Sequence, residues 1–232
     1  MQLFVTGPAG SGKSTFVKEF SSFLSEKGYS VACINLDPAT EPIFKASKDV
    51  RDFVKAEEIM KKFSLGINGA LMKSMQLIEN FAEKLKVDAD FVLYDTPGQM
   101  ELFIYSESGR NVVRILSDRF TVSLFLIDSS QAIEPENFIA AVMQNVIVSL
   151  RLSIPSLTVF TKSDLVKLNV KEIRKRIRES EGVLAELLEK VEFFVEYTTI
   201  PYRILTVSDK WDGFEDVLGA LKELFCACGD IS

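Results

Sequence analysis

Histidine is absent from all 232 residues. That removes the one side chain whose ordinary titration falls near neutral pH, and with it imidazole acid–base catalysis and the commonest transition-metal ligand. Cysteine is scarce, with only Cys33, Cys226 and Cys228, too few for a disulfide framework. Cys33 lies in an apolar run and reads as a small buried hydrophobe. Cys226 and Cys228 form Cys-x-Cys, two sulfurs with no histidine to complete a metal site, and read as an incidental pair. No apolar run reaches the roughly 20 residues that span a bilayer. The chain opens on a strand-like run rather than a leader pattern. The expectation is a soluble cytoplasmic protein, in a reducing compartment and without a membrane partner. Basic charge is not in excess either: 27 Lys and Arg stand against 33 Asp and Glu, a net charge of −6. Bulk nucleic-acid binding has no electrostatic footing in that balance.

What is present is a globular composition, 47% hydrophobic and 26% charged. A chain of this length suits one large α/β domain and buries roughly 70–75% of its unfolded surface, so it needs no staples. Short apolar runs recur at residues 3–5, 31–36, 91–94, 122–127, 157–160 and 203–207. They are continuous rather than alternating, the pattern of strands buried on both faces of a parallel sheet. Helical periodicity fills the gaps. Residues 14–26 carry Phe16, Phe20, Phe23 and Leu24 on one stripe, ended by Gly28. Residues 135–151 begin at Pro135, a favoured first helical position. Residues 213–225 carry Phe214, Val217, Leu218, Leu221 and Leu224. Strand–helix alternation predicts a three-layer, doubly wound, mostly parallel α/β fold. It reads as a single domain with insertions at about 38–89 and 163–201. The first insertion holds a charged region and then a helix from about 70 to 86. The second holds a basic run, 171–178, surrounded by Glu172, Glu179 and Glu181 and read as a solvated helix face.

Gly7-Pro8-Ala9-Gly10-Ser11-Gly12-Lys13-Ser14 follows the first apolar run and opens the first helical pattern. Strand, glycine-rich loop and helix are the setting of a phosphate-binding loop. The glycines admit backbone angles closed to other residues. Amides from Gly10, Ser11, Gly12, Lys13, Ser14 and Thr15 then converge on an anion at the positive end of a helix. In such a loop Lys13 reaches the β- and γ-phosphates and Ser14 ligates Mg²⁺.

Asp95-Thr96-Pro97-Gly98-Gln99 follows the third run. An aspartate ending a buried strand beside a phosphate loop holds Mg²⁺, directly or through water; otherwise it caps the strand end. The Gly98 amide bonds a γ-phosphate only when that phosphate is present, which makes the loop a switch. Gln99 is placed to orient attacking water, or is a plain surface residue. Glu101 is a further catalytic candidate, or a first-turn helix glutamate. Thr161-Lys162-Ser163-Asp164 fits the base-recognition pattern of GTPases, [Asn/Thr]-Lys-x-Asp. Asp164 accepts two hydrogen bonds from guanine N1 and N2, which adenine cannot offer. Val207 and Ser208 follow the last run, where a second base contact falls. Asp37-Pro38 ends the second run. It reads equally as a helix cap and first position and as a switch carboxylate beside Mg²⁺ and the attacking water.

Taken together, Gly7 to Thr15, Asn35-Leu36-Asp37-Pro38-Ala39, the loop at 65–70, Asp95 to Glu101 and Thr161 to Asp164 resemble the GPN-loop GTPases. That family is related to the MinD, signal-recognition and metallochaperone P-loop NTPases. The resemblance implies a GTPase that forms a homodimer, in which a Gly-Pro-Asn loop of one subunit reaches the phosphates and attacking water of the other. Here Gly66-Ile67-Asn68 stands in that place, so Asn68 keeps the hydrogen-bonding group and Ile67 replaces the proline. From the residues alone, Asn68-Gly69 is an ordinary turn dipeptide. Resemblance to eukaryotic relatives also implies a protein-complex client such as RNA polymerase. The expected activity is Mg²⁺-dependent hydrolysis of GTP to GDP and phosphate. Lys13 and the loop amides would stabilise the transferred charge, and Asp37, Gln99 and the partner's Asn68 would hold the water. The competing readings are an ATP-dependent small-molecule kinase, a metal-inserting GTPase using Cys226 and Cys228, and a nucleotide-gated assembly module with little hydrolysis.

Overall fold

Among the described residues, seven strands form one parallel sheet: β1 (Gln2–Thr6), β2 (Val31–Asn35), β3 (Lys48–Asp49), β4 (Phe91–Asp95), β5 (Thr121–Asp128), β6 (Ser156–Thr161) and β7 (Leu205–Thr206). Their order is β3-β2-β4-β1-β5-β6-β7, and every ladder is parallel. The structure is a computed structural model that describes residues 1–179, 185, 186, 188, 190, 191 and 205–226. Among the described residues the helices are α1 (Lys13–Glu26), α2 (Ala56–Phe63), α3 (Ile67–Glu79), α4 (Met100–Ile104), α5 (Glu107–Leu116), α6 (Pro135–Leu152), α7 (Val170–Glu179) and α8 (Phe214–Cys226).

Alternation along each strand divides the core between the two faces of the sheet. Phe4, Phe125, Ile127 and Phe160 enter one apolar cluster with Met75, Phe103, Val112, Phe138 and Ile173, so α3 to α7 cover that face. Leu3, Val5, Leu124 and Leu126 enter the other with Phe16, Phe20, Phe214 and Leu221, under α1 and α8. The predicted three layers are present, and the sheet is parallel throughout. The helices α1 and α8 are joined by rings: Phe214 sits edge-on to Phe16, Phe20 and Phe23 at centroid distances of 5.2–5.6 Å. Aromatic pairs of this kind contribute about 0.5–1.5 kcal/mol each beyond area burial.

The segment 38–89 builds part of the sheet edge. Its β3, hidden in a charged run, pairs with β2, and α2 packs through Ala56 and Ile59. The expected helix at 70–86 begins earlier, at Ile67, and ends at Glu79, followed by a short 3-10 turn at Ala82–Leu85. Gly66-Ile67-Asn68 is therefore the cap and first two residues of α3, not a loop before it. The strand expected at 203–207 is seen at Leu205–Thr206; residues 203 and 204, most of 183–195, where the sequence pattern predicts a further helical run, and Cys228 lie outside the described residues, as does the side chain of Cys226. No helix among the described residues is long and apolar enough to cross a membrane.

Because the strands run in one direction, Thr6, Asn35, Asp95, Asp128, Thr161 and Thr206 end at one edge of the sheet. The connection from β4 to β5 jumps across β1. That crossing point opens the crevice where open α/β sheets bind ligands.

Candidate functional site

The loop between β1 and α1 fills the crevice, and its glycines are there for geometry. Gly12 caps α1 at φ 87°, a left-handed conformation costly for a residue with a Cβ. Gly7 has φ 142°, and a Cβ on it would lie 2.3 Å from the Leu126 carbonyl oxygen. Lys13, the first residue of α1, is buried and donates to the carbonyls of Gly7 at 2.9 Å and Pro8 at 3.0 Å. Burial pushes its ammonium pKa down, against the attraction of Asp95, Asp37 and Glu101.

Ser14 donates its hydroxyl to Asp95 Oδ2 at 2.6 Å. Burial of Asp95 raises its carboxyl from 3.8 to about 6, against the Ser14 hydrogen bond and the Lys13 charge. The second oxygen, Oδ1, is buried with no hydrogen-bond partner. An orphaned carboxylate oxygen beside a serine hydroxyl is a hard-oxygen donor set that fits Mg²⁺, which takes one or two carboxylates and completes its shell with water and phosphate. Asp37 stands across the cleft. Its Oδ1 accepts the Ala39 amide at 2.8 Å and its Oδ2 the Gly98 amide at 3.2 Å. Asn35 fixes this turn by accepting the Asp37 amide and donating to the Asp37 and Thr40 carbonyls and to Asp49 Oδ1. The cleft, of about 420 Å³, is lined by Gly10, Gly12, Lys13, Ser14, Thr15, Asp37, Asp95 and Gly98 among others.

A second cavity of about 270 Å³ adjoins it and shares Gly12, Thr15 and Lys162 with it. Its apolar walls are Phe16, Phe214 and Leu165; Asp164, Ser208 and Asp209 bring polar groups. Thr161 and Val207 also line it. Thr161 is buried and donates its hydroxyl to the Ser11 carbonyl at 2.8 Å, tying β6 to the phosphate loop. Lys162 adopts φ 58° and reaches back to the Gly10 carbonyl at 3.1 Å and to Asp128 Oδ2 at 2.6 Å. Partial burial alone would raise the Asp128 carboxyl, but Lys162 and the Ser130 amide and hydroxyl hold it below its usual range. The Ser208 amide donates to the Asp212 carbonyl at 3.2 Å. Asp164 is exposed at the rim. Its carboxylate accepts paired N–H donors, which guanine presents and adenine lacks.

The remaining predicted residues lie outside both cavities. Ser11 is buried with its hydroxyl unpartnered. Gln99 is half-buried at the start of α4, and Glu101 is exposed on that helix. Asn68 is exposed in the first turn of α3. Ile67 takes the first helical position, where proline is itself favoured, so isoleucine and proline suit the same backbone there. Cys33 is buried in β2, with burial pushing its thiol pKa up. Among the described residues no group of three or more Cys, Asp or Glu could hold a metal ion by itself.

Sequence reasoning passed over Asp128 and the clamp made by Asn35. Asp128 ends a buried apolar strand just as Asp95 does, and that shared signature was the available signal. For Asn35 the signal was Asn-x-Asp at a strand end, since asparagine readily bonds the backbone two residues on.

A family model described as a conserved hypothetical ATP binding protein matches residues 5–227. The chain is 32% identical over 252 residues to GPN-loop GTPase PAB0955 of Pyrococcus abyssi, covering 100% of both chains. The crystal structure of PAB0955, a GTPase in apo form from that organism, superposes with a TM-score of 0.84 at 30% identity, covering 98% of each chain. GPN-loop GTPase QQT1 of Arabidopsis thaliana is 35% identical over 70% of this chain. The chain spans 58% of that relative's length.

Proposed function

This chain belongs to the GPN-loop GTPase family, and from that premise we propose that it binds GTP with Mg²⁺ and hydrolyses it to GDP and phosphate as a homodimer. The observation that carries the choice of nucleotide is Asp164, a carboxylate at the rim of an apolar-walled cavity continuous with the phosphate loop. Guanine presents two donors to such a carboxylate; adenine would leave it unpaired beside the base. On this reading the nucleotide base occupies the smaller cavity and the phosphates the larger.

Mg²⁺, held by Ser14 and Asp95 with Asp37 in reach of its water shell, would offset charge on the phosphate oxygens. The chain's own groups do the rest. Lys13 exchanges the Gly7 and Pro8 carbonyls for phosphate oxygens, a favourable trade for a buried ammonium. The Gly98 amide, now on Asp37, turns to the γ-phosphate. That releases Asp37 Oδ2 to hold the attacking water in line. Gln99, at the hinge between that loop and α4, and Glu101 follow the same movement. Asn68, exposed in the first turn of α3, supplies a polar group to the partner's site.

Subunit mixing tests this. Asp37→Ala and Asn68→Ala should each lose phosphate release while keeping nucleotide affinity. Mixed after dissociation, they should recover activity at roughly a quarter of the wild-type sites, because one site in each heterodimer has both groups intact. Failure of the mixture to recover, with each variant inactive, would place Asn68 in its own subunit's site or outside the reaction.

The family resemblance also supports use of the nucleotide cycle to assist assembly of a protein complex, in the cytoplasm. A pull-down comparing GTP- and GDP-loaded protein tests it; identical partners in both states would remove the nucleotide from that role.

A further inference from the structure

At the sheet edge opposite the nucleotide, where α5 runs out before β5 and α6 before β6, the two helix ends enclose a pocket of about 410 Å³. Arg110 and Arg114 of α5 and Arg151 of α6 line it. Glu107 is its one acidic wall residue. Among the described residues none of the three guanidinium groups makes an ion pair, in a chain whose net charge is −6. Arg110 and Arg114 are four apart on one helix, a spacing at which like charges repel. Helix dipoles account for Arg114 and Arg151, each in a last turn. They do not account for Arg110.

An apolar ridge continues from the pocket. Arg151 lies over the Tyr105 ring at 4.9 Å. Ile147, four positions before Arg151, shares its helix face, and Leu150, three after Ile147, stands beside that pair on the adjoining face. Leu150 is 74% exposed and Tyr105 47%. Large exposed apolar groups beside unpaired cations form a two-part surface.

We propose that this surface docks an acidic segment of a partner protein, its carboxylates held by Arg110, Arg114 and Arg151 and an apolar side chain laid on Tyr105, Ile147 and Leu150. Guanidinium forks match carboxylates two bonds at a time. A free phosphate would leave the ridge uncovered. A nucleic acid strand would have to pass Glu79, bonded to Asn111 on the pocket wall, and Glu107. The site lies away from the nucleotide and stands independently of the reading given above for that cleft.

The test is fluorescence anisotropy with a fluorescein-labelled peptide in which Glu pairs flank Leu-Phe, and a control with Gln for each Glu. Wild type should bind the acidic peptide saturably and salt-sensitively. Arg110→Gln/Arg114→Gln should weaken binding by about tenfold or more, Leu150→Ala should weaken it too, and neither should alter nucleotide affinity or oligomeric state. The proposal is overturned by the absence of saturable binding, or by equal binding of the glutamine control. Displacement of the peptide by inorganic phosphate, or tighter binding of a single-stranded oligonucleotide, would assign the pocket to another ligand. A change of dimer to monomer in the arginine variant would make the face a self-association surface.

Discussion

Replacing Asp95 by Asn should make the nucleotide-free protein more stable. The carboxylate is buried, one oxygen bonds only Ser14 and the other has no partner. Raising its pKa from 3.8 to about 6 costs the folded state about 3 kcal/mol at neutral pH. The sign follows from proton binding. Between about pH 4 and 6 the folded protein holds a proton that the unfolded chain has released, so this group makes stability fall as pH rises through that window; above it the full cost persists. An asparagine Oδ1 still accepts the Ser14 hydroxyl and carries no charge. The asparagine Nδ2 takes the place of the unpartnered Oδ1 and is a buried donor without a partner, which offsets part of the gain and leaves about 1–2 kcal/mol. For a domain of this size that is a rise in Tm of roughly 2–8 °C. Urea unfolding followed by the fluorescence of Trp211, the only tryptophan, from pH 4 to 8 with EDTA present, measures it. With GTP and Mg²⁺ the order should reverse, since the ligands stabilise only the wild type strongly. A variant less stable than wild type at pH 8 without ligands, or one with an unchanged slope between pH 4 and 6, would refute the reasoning.

Two further outcomes follow from the phosphate loop and its neighbours. Gly7→Ala drives a Cβ to 2.3 Å from the Leu126 carbonyl, so the loop must shift. Thermal unfolding should show a loss of several °C, on the order of 1–3 kcal/mol, and calorimetry should show GTP affinity reduced more than tenfold. Asp128→Asn removes the charge that seats Lys162. Guanine-nucleotide affinity should fall about tenfold while Lys162→Ala/Asp128→Asn should be no worse than Lys162→Ala alone, a double-mutant cycle readable by calorimetry.

How far the fold was legible depended on which physical signal each element carries. The continuous apolar runs marked the central strands because those strands are buried on both faces. The two residues of β3 have no such run: Lys48 is exposed, and the strand exists because Asn35 bonds Asp49 and the ladder with β2 closes around it. Helix α5 buries Ser108 and Gly109 along with Val112, Val113 and Leu116, so its periodicity is blurred. Its real signal is the cap, in which Ser106 Oγ accepts the Gly109 amide at 2.9 Å. A Cβ at Gly109 would lie 2.0 Å from the Phe103 carbonyl, a tertiary constraint between α4 and α5 that no local pattern announces. In the site, Lys13, Ser14, Asp37, Asp95 and Gly98 could be grouped before the structure because strand ends of a parallel sheet share one edge. The Asp37–Gly98 bond could not, since 61 residues separate its ends.

The most direct test is calorimetric binding of GTP, GDP and ATP with Mg²⁺ to wild type and to Asp164→Ala. Two charge-assisted hydrogen bonds, each contributing about 1.5–3 kcal/mol, predict tight guanine binding in wild type, a loss of more than about a hundredfold in the variant, and weak ATP binding in both. ATP binding equal to or tighter than GTP binding, or guanine affinity untouched by the substitution, would contradict the account and reduce Thr161 to Asp164 to a loop after β6.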